Sequence, residues 1–250
     1  MTSLDSPGMR GILHRVRLAT RKVGIDVGRW PGLDPTHMLV KLLDSRSVTA
    51  VLDVGANSGR YGLELRDAGY TGRILSYEPL PGPFEELSSH AAKDGAWEAY
   101  PYAVGDAARS VTINVAANAG ESSSVLPMLP AHVDAYPTAT YVDTHHAEMR
   151  TLDELALPRL HEGETAFLKA DVQGFERPVL DGAQRLLAHC VGMQLELSFT
   201  PLYEGGMLYR EALDLAEGLG FVLMGLIPGF VDLRDGRLLQ ADGIFMRESA

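Results

Sequence analysis

The chain has 250 residues with 22 Lys+Arg and 33 Asp+Glu, a formal net charge of −11, and is 46% hydrophobic and 22% charged. These globular values exclude disordered and low-complexity classes, and the length suits one α/β domain of roughly 200–250 residues. The acidic balance argues against a nucleic-acid binder, which needs a basic face to displace counterions from phosphate, and the single cysteine, Cys190, excludes an intrachain disulfide and argues against a Cys-based zinc site.

In chain order, residues 1–32 hold six bases and two acids, so the acid excess falls on the rest of the chain. Met9, Ile12, Leu13, Val16 and Val23 recur at helical spacing among the bases. This predicts an amphipathic helix over 9–23 that packs over the domain or rests on an anionic membrane. With a second helical stretch at 37–43 it forms an N-terminal helical segment, 1–45. No apolar run has the length of a signal peptide or a membrane span, so the protein is expected in the cytoplasm, free or peripheral at the inner face of the membrane.

Residues 46–250 read as the main domain. Strands are predicted at 50–54, 73–77, 97–104, 111–115, 141–149, 165–170, 191–197, 221–226, 231–233 and 243–247. Helices are predicted at 59–68, 83–93, 175–188 and 208–219, with a short one at 151–155 opened by a Thr151–Glu154 capping box. Residues 117–140 are polar, small and Pro-rich without a period, and are expected to be a lid loop. Alternating strands and helices imply right-handed crossovers and a mostly parallel sheet, with ligands beyond the carboxyl ends of its strands.

The first strand runs into Asp53-Val54-Gly55-Ala56-Asn57-Ser58-Gly59. Glycines allow a tight turn and close backbone approach at a helix N-terminus. The pattern G-x-G-x-x-G is absent, because Asn57 stands where the second glycine would be, so a pyrophosphate is disfavoured. Glu78 ends the second strand, 23 residues after Gly55, where a carboxylate can accept both ribose hydroxyls. An acid before the turn repels phosphate but suits an ammonium. Together these features describe a nucleoside with a cationic amino-acid tail, S-adenosylmethionine.

At this point the sequence resembles the FkbM family of S-adenosylmethionine-dependent methyltransferases. The resemblance rests on V-L-D-V-G-A-N-S-G-R-Y (51–61), Y-E-P (77–79), A-V-G-D (103–106), E-S-S-S (121–124), T-L-D (151–153), F-L-K-A-D-V-Q-G-F-E (167–176), V-L-D-G-A (179–183) and E-L-S-F (196–199). P-L-Y-E-G (201–205) and D-G-I-F (242–245) extend it. It implies a class I methyltransferase fold: a Rossmann-like, seven-stranded, mostly parallel sheet with helices on both faces and the last strand antiparallel. It also implies O-methylation, commonly of a sugar on a glycolipid, polysaccharide or glycosylated metabolite. Carried over, Asp53, Gly55, Ala56, Asn57 and Gly59 line the methionine and ribose end of the cofactor site, Glu78 is the ribose acid, and Ala103 and Val104 lie by the adenine. Asp106 reads as a β-turn residue.

Methyl transfer needs an aligned and activated acceptor oxygen. Asp171, two residues after Lys169 at the end of the fourth parallel strand, is the expected acceptor-side carboxylate. Lys169 is its charge partner or stabilises the developing alkoxide, and Glu196 ends the neighbouring strand. Glu176 either complements a helix N-terminus or takes part in the site. Asp171 and Glu196 also offer hard oxygen ligands to magnesium, but no D-D pair follows the fifth strand, so a metal is not favoured. His145 and His146, adjacent in a strand, cannot both face the site. Asn118, Ser122 to Ser124 and His132 belong to the lid, and Tyr136, Tyr141 and Tyr203 either stack on a sugar or pack. Two other readings are a non-catalytic S-adenosylmethionine-binding module and a nicotinamide-dependent oxidoreductase. The intact Lys169, Asp171 and Glu176 speak against the first, and Asn57 against the second.

Overall fold

The structure is a computed structural model that describes residue 20 and residues 34–248. The helix expected over 9–23, and with it the proposed membrane contact, lies outside the described residues. Helix α1 (Pro35–Ser45) opens the described domain; the Asp34 side chain caps it by accepting from His37 N, and proline begins its first turn. There follow β1 (Ala50–Val54), α2 (Arg60–Asp67), β2 (Arg73–Tyr77), α3 (Pro81–Ala91), β3 (Trp97–Tyr100), β4 (Ala103–Val104), β5 (Arg109–Ala116), α4 (Pro130–Ala135), β6 (Tyr141–Arg150) and α5 (Leu152–Leu155). The chain continues with β7 (Ala166–Ala170), α6 (Glu176–Asp181), β8 (Cys190–Ser198), α7 (Tyr209–Gly218), β9 (Phe221–Pro228), β10 (Val231–Asp232), β11 (Arg237–Leu238) and β12 (Gln240–Arg247).

The main sheet has seven strands in the order β3-β2-β1-β7-β8-β12-β9. Strand β12 runs antiparallel to both β8 and β9, and the other pairs are parallel. This is the sheet the resemblance implies, last strand antiparallel included. Alternation along the strands divides the core between the two faces. Leu52 and Val54 of β1 and Leu168 of β7 pack with α5, α6 and α7, while Val51 and Phe167 pack with α1, α2 and α3. Every residue of β1 and β7 is buried, as expected for central parallel strands covered on both faces.

Three segments depart from the sequence expectation. Residues 97–104 form two strands rather than one, because Pro101 cannot donate to a ladder; β4 leaves the main sheet and joins β6 and β5 in a second, three-stranded sheet. The helix expected over 175–188 stops at Asp181. Gly182 passes so close to β4 that a Cβ there would lie 2.0 Å from the Gly105 carbonyl oxygen, and Asp153 then accepts the N–H groups of Arg185 and Leu186. The stretch 117–140 contains α4, opened by Pro130, and is tied down by bridges from Asn114 to Ser124 and from Met128 to Tyr203. The capping box of Thr151 and Glu154 is present at α5. Among the described residues, no helix is long and apolar enough to cross a membrane.

Candidate active site

The sheet register builds the site. Asp53 of β1 lies opposite Ser76 of β2 and Lys169 of β7, and Lys169 lies opposite Gln194 of β8. Side chains in register on neighbouring strands share a face, so four polar groups form one buried row across an otherwise apolar sheet. Asp53 is 0% exposed. It accepts from Ser76 Oγ at 3.2 Å, and its Oδ1 lies 3.1 Å from Lys169 Nζ. Lys169 Nζ also donates to the Gly55 carbonyl at 2.9 Å and sits 5.4 Å from the Tyr61 ring centroid. Burial opposes the lysine's charge, but Asp53 and Asp171 more than offset it and hold its pKa above the ordinary value. Tyr61 closes the row by donating to Gln194 Oε1 at 3.0 Å.

Beyond β1 the backbone turns sharply. Gly55 has φ +72°, and a Cβ on it would lie 1.9 Å from the Asp171 carbonyl oxygen, so only glycine fits between the ends of β1 and β7. Asn57 adopts φ +47°, which Asn tolerates, and Ser58 N donates to its side chain at 2.7 Å. The end of β2 is then fixed through Glu78, whose carboxylate accepts from Asn57 N at 2.9 Å and Leu80 N at 2.8 Å. Burial pushes the Glu78 pKa up to about 7 against these two donors.

The opposite end lies beyond β7, β8 and β12. Asp171 Oδ2 is 3.7 Å from Lys169 Nζ, so residues two apart on the strand do meet. Gln173 Nε2 donates to Asp171 Oδ1 at 2.9 Å and to the two Glu196 oxygens at 3.2 and 3.3 Å. Asp242 of β12 stands in register with Glu196. Burial, with the charges of Asp171 and Glu176, pushes Glu196 well above the usual carboxylate range, and burial pushes Asp242 up to about 6. Glu176 Oε1 accepts Val172 N and Gly174 N, both at 3.1 Å, so this acid shapes the turn that carries Asp171; burial raises it to about 7.

Both ends open into one cavity of about 710 Å³. Of the residues singled out in the sequence, Gly55, Ala56, Asn57, Glu78, Ala103, Val104, Lys169, Asp171 and Glu196 line it. Asp53 and Gly59 stand behind the lining. Asp53 lies beneath Lys169, and Gly59, φ +89°, packs where a Cβ would meet Leu87 at 3.0 Å. Asn118 and Ser122 to Ser124 of the 117–140 stretch also line the cavity, as do His132 and Tyr136. His132 is buried against Tyr203 and Phe230, with ring centroids 5.2 and 5.0 Å away, and burial pushes its pKa down to about 4. His145 and His146 are on β6 in the second sheet and do not line it; His146 meets Thr112. Asp106 pairs with Arg109 at 2.8 Å. Tyr141 donates to the Leu126 carbonyl, and Tyr203 is buried with its hydroxyl on Gln173.

Gln173 occurs in the sequence only as part of the 167–176 motif, and Asp242, Gln194, Tyr61 and Phe230 carry no expected role. Two signals were present. Gln194 is a polar residue inside an apolar strand, and Asp242 belongs to a motif in a strand that becomes the partner of Glu196 only once the antiparallel register is known. Among the described residues, no group of three or more His, Cys, Asp or Glu converges to hold a metal ion.

No match is found among curated protein sequences. Solved structures resemble this chain at low identity and with TM-scores below 0.5. Burkholderia thailandensis 1,6-didemethyltoxoflavin-N1-methyltransferase, with bound S-adenosylhomocysteine, is 11% identical with a TM-score of 0.47, over 100% of this chain and 93% of that one. A TehB-like SAM-dependent methyltransferase from Corynebacterium glutamicum is 13% identical with a TM-score of 0.40, over 97% and 100%. WbdD is 15% identical with a TM-score of 0.48 over 86% of this chain, which spans only 40% of that protein. The profile of the methyltransferase FkbM domain matches residues 53–223, from the buried Asp53 of β1 into β9. That match takes in more than half of the chain, and the protein therefore belongs to the FkbM methyltransferase family.

Proposed function

We propose that the protein is an S-adenosylmethionine-dependent O-methyltransferase whose acceptor is a sugar hydroxyl on a glycolipid, polysaccharide or glycosylated metabolite. The observation that carries this reading is the Asp171–Glu196 carboxylate pair, which faces the same cavity as the Gly55–Glu78 turn.

The residues present fit the cofactor. The cavity volume is in the range of ligand sites, roughly 300–1,000 Å³. Gly55, Ala56, Asn57, Glu78, Ala103 and Val104 would hold it, with Gly55 permitting close backbone approach. Each Glu78 oxygen accepts one backbone N–H and keeps a lone pair for a ribose hydroxyl. Carboxylates at both ends suit a cationic sulfonium. When bound, S-adenosylmethionine supplies a methyl group already activated for displacement.

The chain's own work is on the acceptor. A protonated hydroxyl is a weak nucleophile, and Asp171 takes its proton as the oxygen attacks. Lys169 Nζ, 3.7 Å from Asp171, stabilises negative charge developing on the acceptor oxygen. Glu196 accepts a second hydroxyl and orients the ring. Phe230 and Tyr136, with ring centroids 6.4 Å apart, give an aromatic wall on which the apolar face of a sugar can stack. Calorimetry with S-adenosylmethionine and assay of S-adenosylhomocysteine release with sugar acceptors test the reading. Saturable binding and acceptor-dependent release are expected. No binding at millimolar cofactor overturns it, and binding without turnover on any hydroxyl acceptor reduces the protein to a cofactor-binding module.

A further inference from the structure

Gln173 touches both carboxylates at the acceptor end and has no role in the chemistry described above. Its amide offers two N–H donors and one carbonyl acceptor. Nε2 is spent on Asp171 Oδ1 at 2.9 Å and on Glu196 at 3.2 and 3.3 Å, and Oε1 accepts from Tyr203 Oη at 2.6 Å. The opposite rotamer would aim the carbonyl oxygen at two carboxylates, so the chemistry of the neighbours fixes the orientation of the amide.

The backbone is fixed as well. Gln173 has φ +56°, uncommon for a residue with a side chain, and its carbonyl accepts from Ser124 Oγ at 2.8 Å. Tyr203 Oη also contacts the Ser122 carbonyl at 3.2 Å. Both tethers reach the 117–140 stretch that borders the cavity. Without the amide, ionising both Asp171 and Glu196 would place like charges side by side with no donor between them.

We infer that Gln173 is the positioning residue of the acceptor end: clamped by Tyr203 and Ser124, its amide holds Asp171 and Glu196 side by side and ties their placement to the 117–140 stretch. The inference deepens the methyltransferase reading and rests on it for the acceptor's identity, not for the geometry of the clamp. Donors to an ionised carboxylate favour the ionised form. Losing the amide therefore raises the pH at which the pair releases its proton and displaces the base.

The test compares wild type with Gln173→Ala, Gln173→Glu and Tyr203→Phe by two readouts. The first is the pH–rate profile of methyl transfer. Both Gln173 variants should lose about tenfold to a hundredfold in kcat, keep KM for S-adenosylmethionine within about twofold, and show an acid limb moved to higher pH. Tyr203→Phe keeps the amide but frees it to rotate, so its change should have the same sign and be smaller. The second readout is independent of activity: NMR titration of carbon-13-labelled Asp and Glu carboxyls, which should move to higher pH in Gln173→Ala. An unmoved profile together with an unmoved titration overturns the clamp. A moved titration in a protein that methylates no hydroxyl upholds the clamp and removes the functional reading instead. If Gln173→Ala does not fold, Gln173→Glu and Tyr203→Phe decide by the same two measurements.

Discussion

At the β1–β2 end of the cavity, Glu78 is held by backbone, accepting the N–H groups of Asn57 and Leu80. At the β7–β8–β12 end, Asp171 and Glu196 are held by a side chain, Gln173, itself held by residues of two other segments. The first end is local: residues 53–80 make it through two strands and their turns. The second draws on residues from Ser122 to Asp242. Backbone donors are part of the fold and survive side-chain replacement, whereas a side-chain clamp fails one residue at a time. Cofactor binding should therefore tolerate changes at the acceptor end far better than turnover does.

Asp171→Asn gives the largest expected separation. It preserves shape but removes the base, so turnover should fall ~10²–10⁴-fold, read as S-adenosylhomocysteine release. Cofactor affinity by calorimetry should stay within about twofold, because Glu78 and its backbone donors are untouched. A parallel loss of affinity would mean that the two ends are one unit.

Lys169 is where the ends do join, since it contacts Asp53, the Gly55 carbonyl and Asp171. Lys169→Met leaves the completely buried Asp53 without its counter-charge, which should cost ~3–5 kcal/mol in urea unfolding. The double variant Asp53→Asn, Lys169→Met should recover most of that loss. No recovery would place the role of Lys169 in packing against Tyr61 rather than in charge.

The local end was readable in the sequence because its signals are contiguous. A strand, a glycine turn and an acid ending the next strand predicted the arrangement of Gly55, Asn57 and Glu78. Asp171, Lys169 and Glu196 were readable as residues at strand ends. Their partners were not, because pairing is set by register. Glu196 meets Asp242 only through an antiparallel strand that enters the sheet between β8 and β9. Gln173 acquires its function from Tyr203 and Ser124, which are distant in sequence. The same logic explains Asp53, whose motif position suggested cofactor contact while the register gave it to Lys169. It also explains the 97–104 segment, expected as one strand, where Pro101 interrupts the ladder and β4 joins a second sheet.

Gly55→Ala tests how far the local end depends on its backbone. The added methyl would meet the Asp171 carbonyl at 1.9 Å in a left-handed conformation. Strain of this kind costs roughly 1–3 kcal/mol, to be read as a lower urea midpoint, with weaker cofactor binding. Gly95→Ala, where a Cβ has nothing within 4 Å, is the control and should change stability by less than about 0.5 kcal/mol. If both variants behave alike, the turn is more pliable than a backbone-held site allows.

The remaining effect is a slope with pH in the cofactor-free protein. Burial raises Glu78 and Glu176 to about 7 and Asp242 to about 6, and moves Glu196 up as well. Between about pH 4.5 and 7 the folded chain keeps protons that the unfolded chain has released, so this contribution is present on the acid side and lost as pH rises through about 7. His132 acts in the opposite sense. Its folded pKa of about 4 lies below the ordinary 6.5, so its contribution is lost as pH falls. One imidazole opposes four carboxyls, so the net slope follows the carboxyls, at up to about 1.4 kcal/mol per pH unit for each fully titrating group. Thermal melting should accordingly occur at a higher temperature at pH 5.5 than at pH 7.5. Glu78→Gln should flatten the slope from the local end and Asp242→Asn from the distant one. A cationic ligand favours the ionised carboxylates, so the rise in melting temperature on adding S-adenosylmethionine should grow from pH 5.5 to 7.5. Glu78→Gln should blunt that growth more than Asp242→Asn, because Glu78 belongs to the end that would hold the ribose. Equal blunting by both would show that the cofactor senses the cavity's charge as a whole rather than one of its ends.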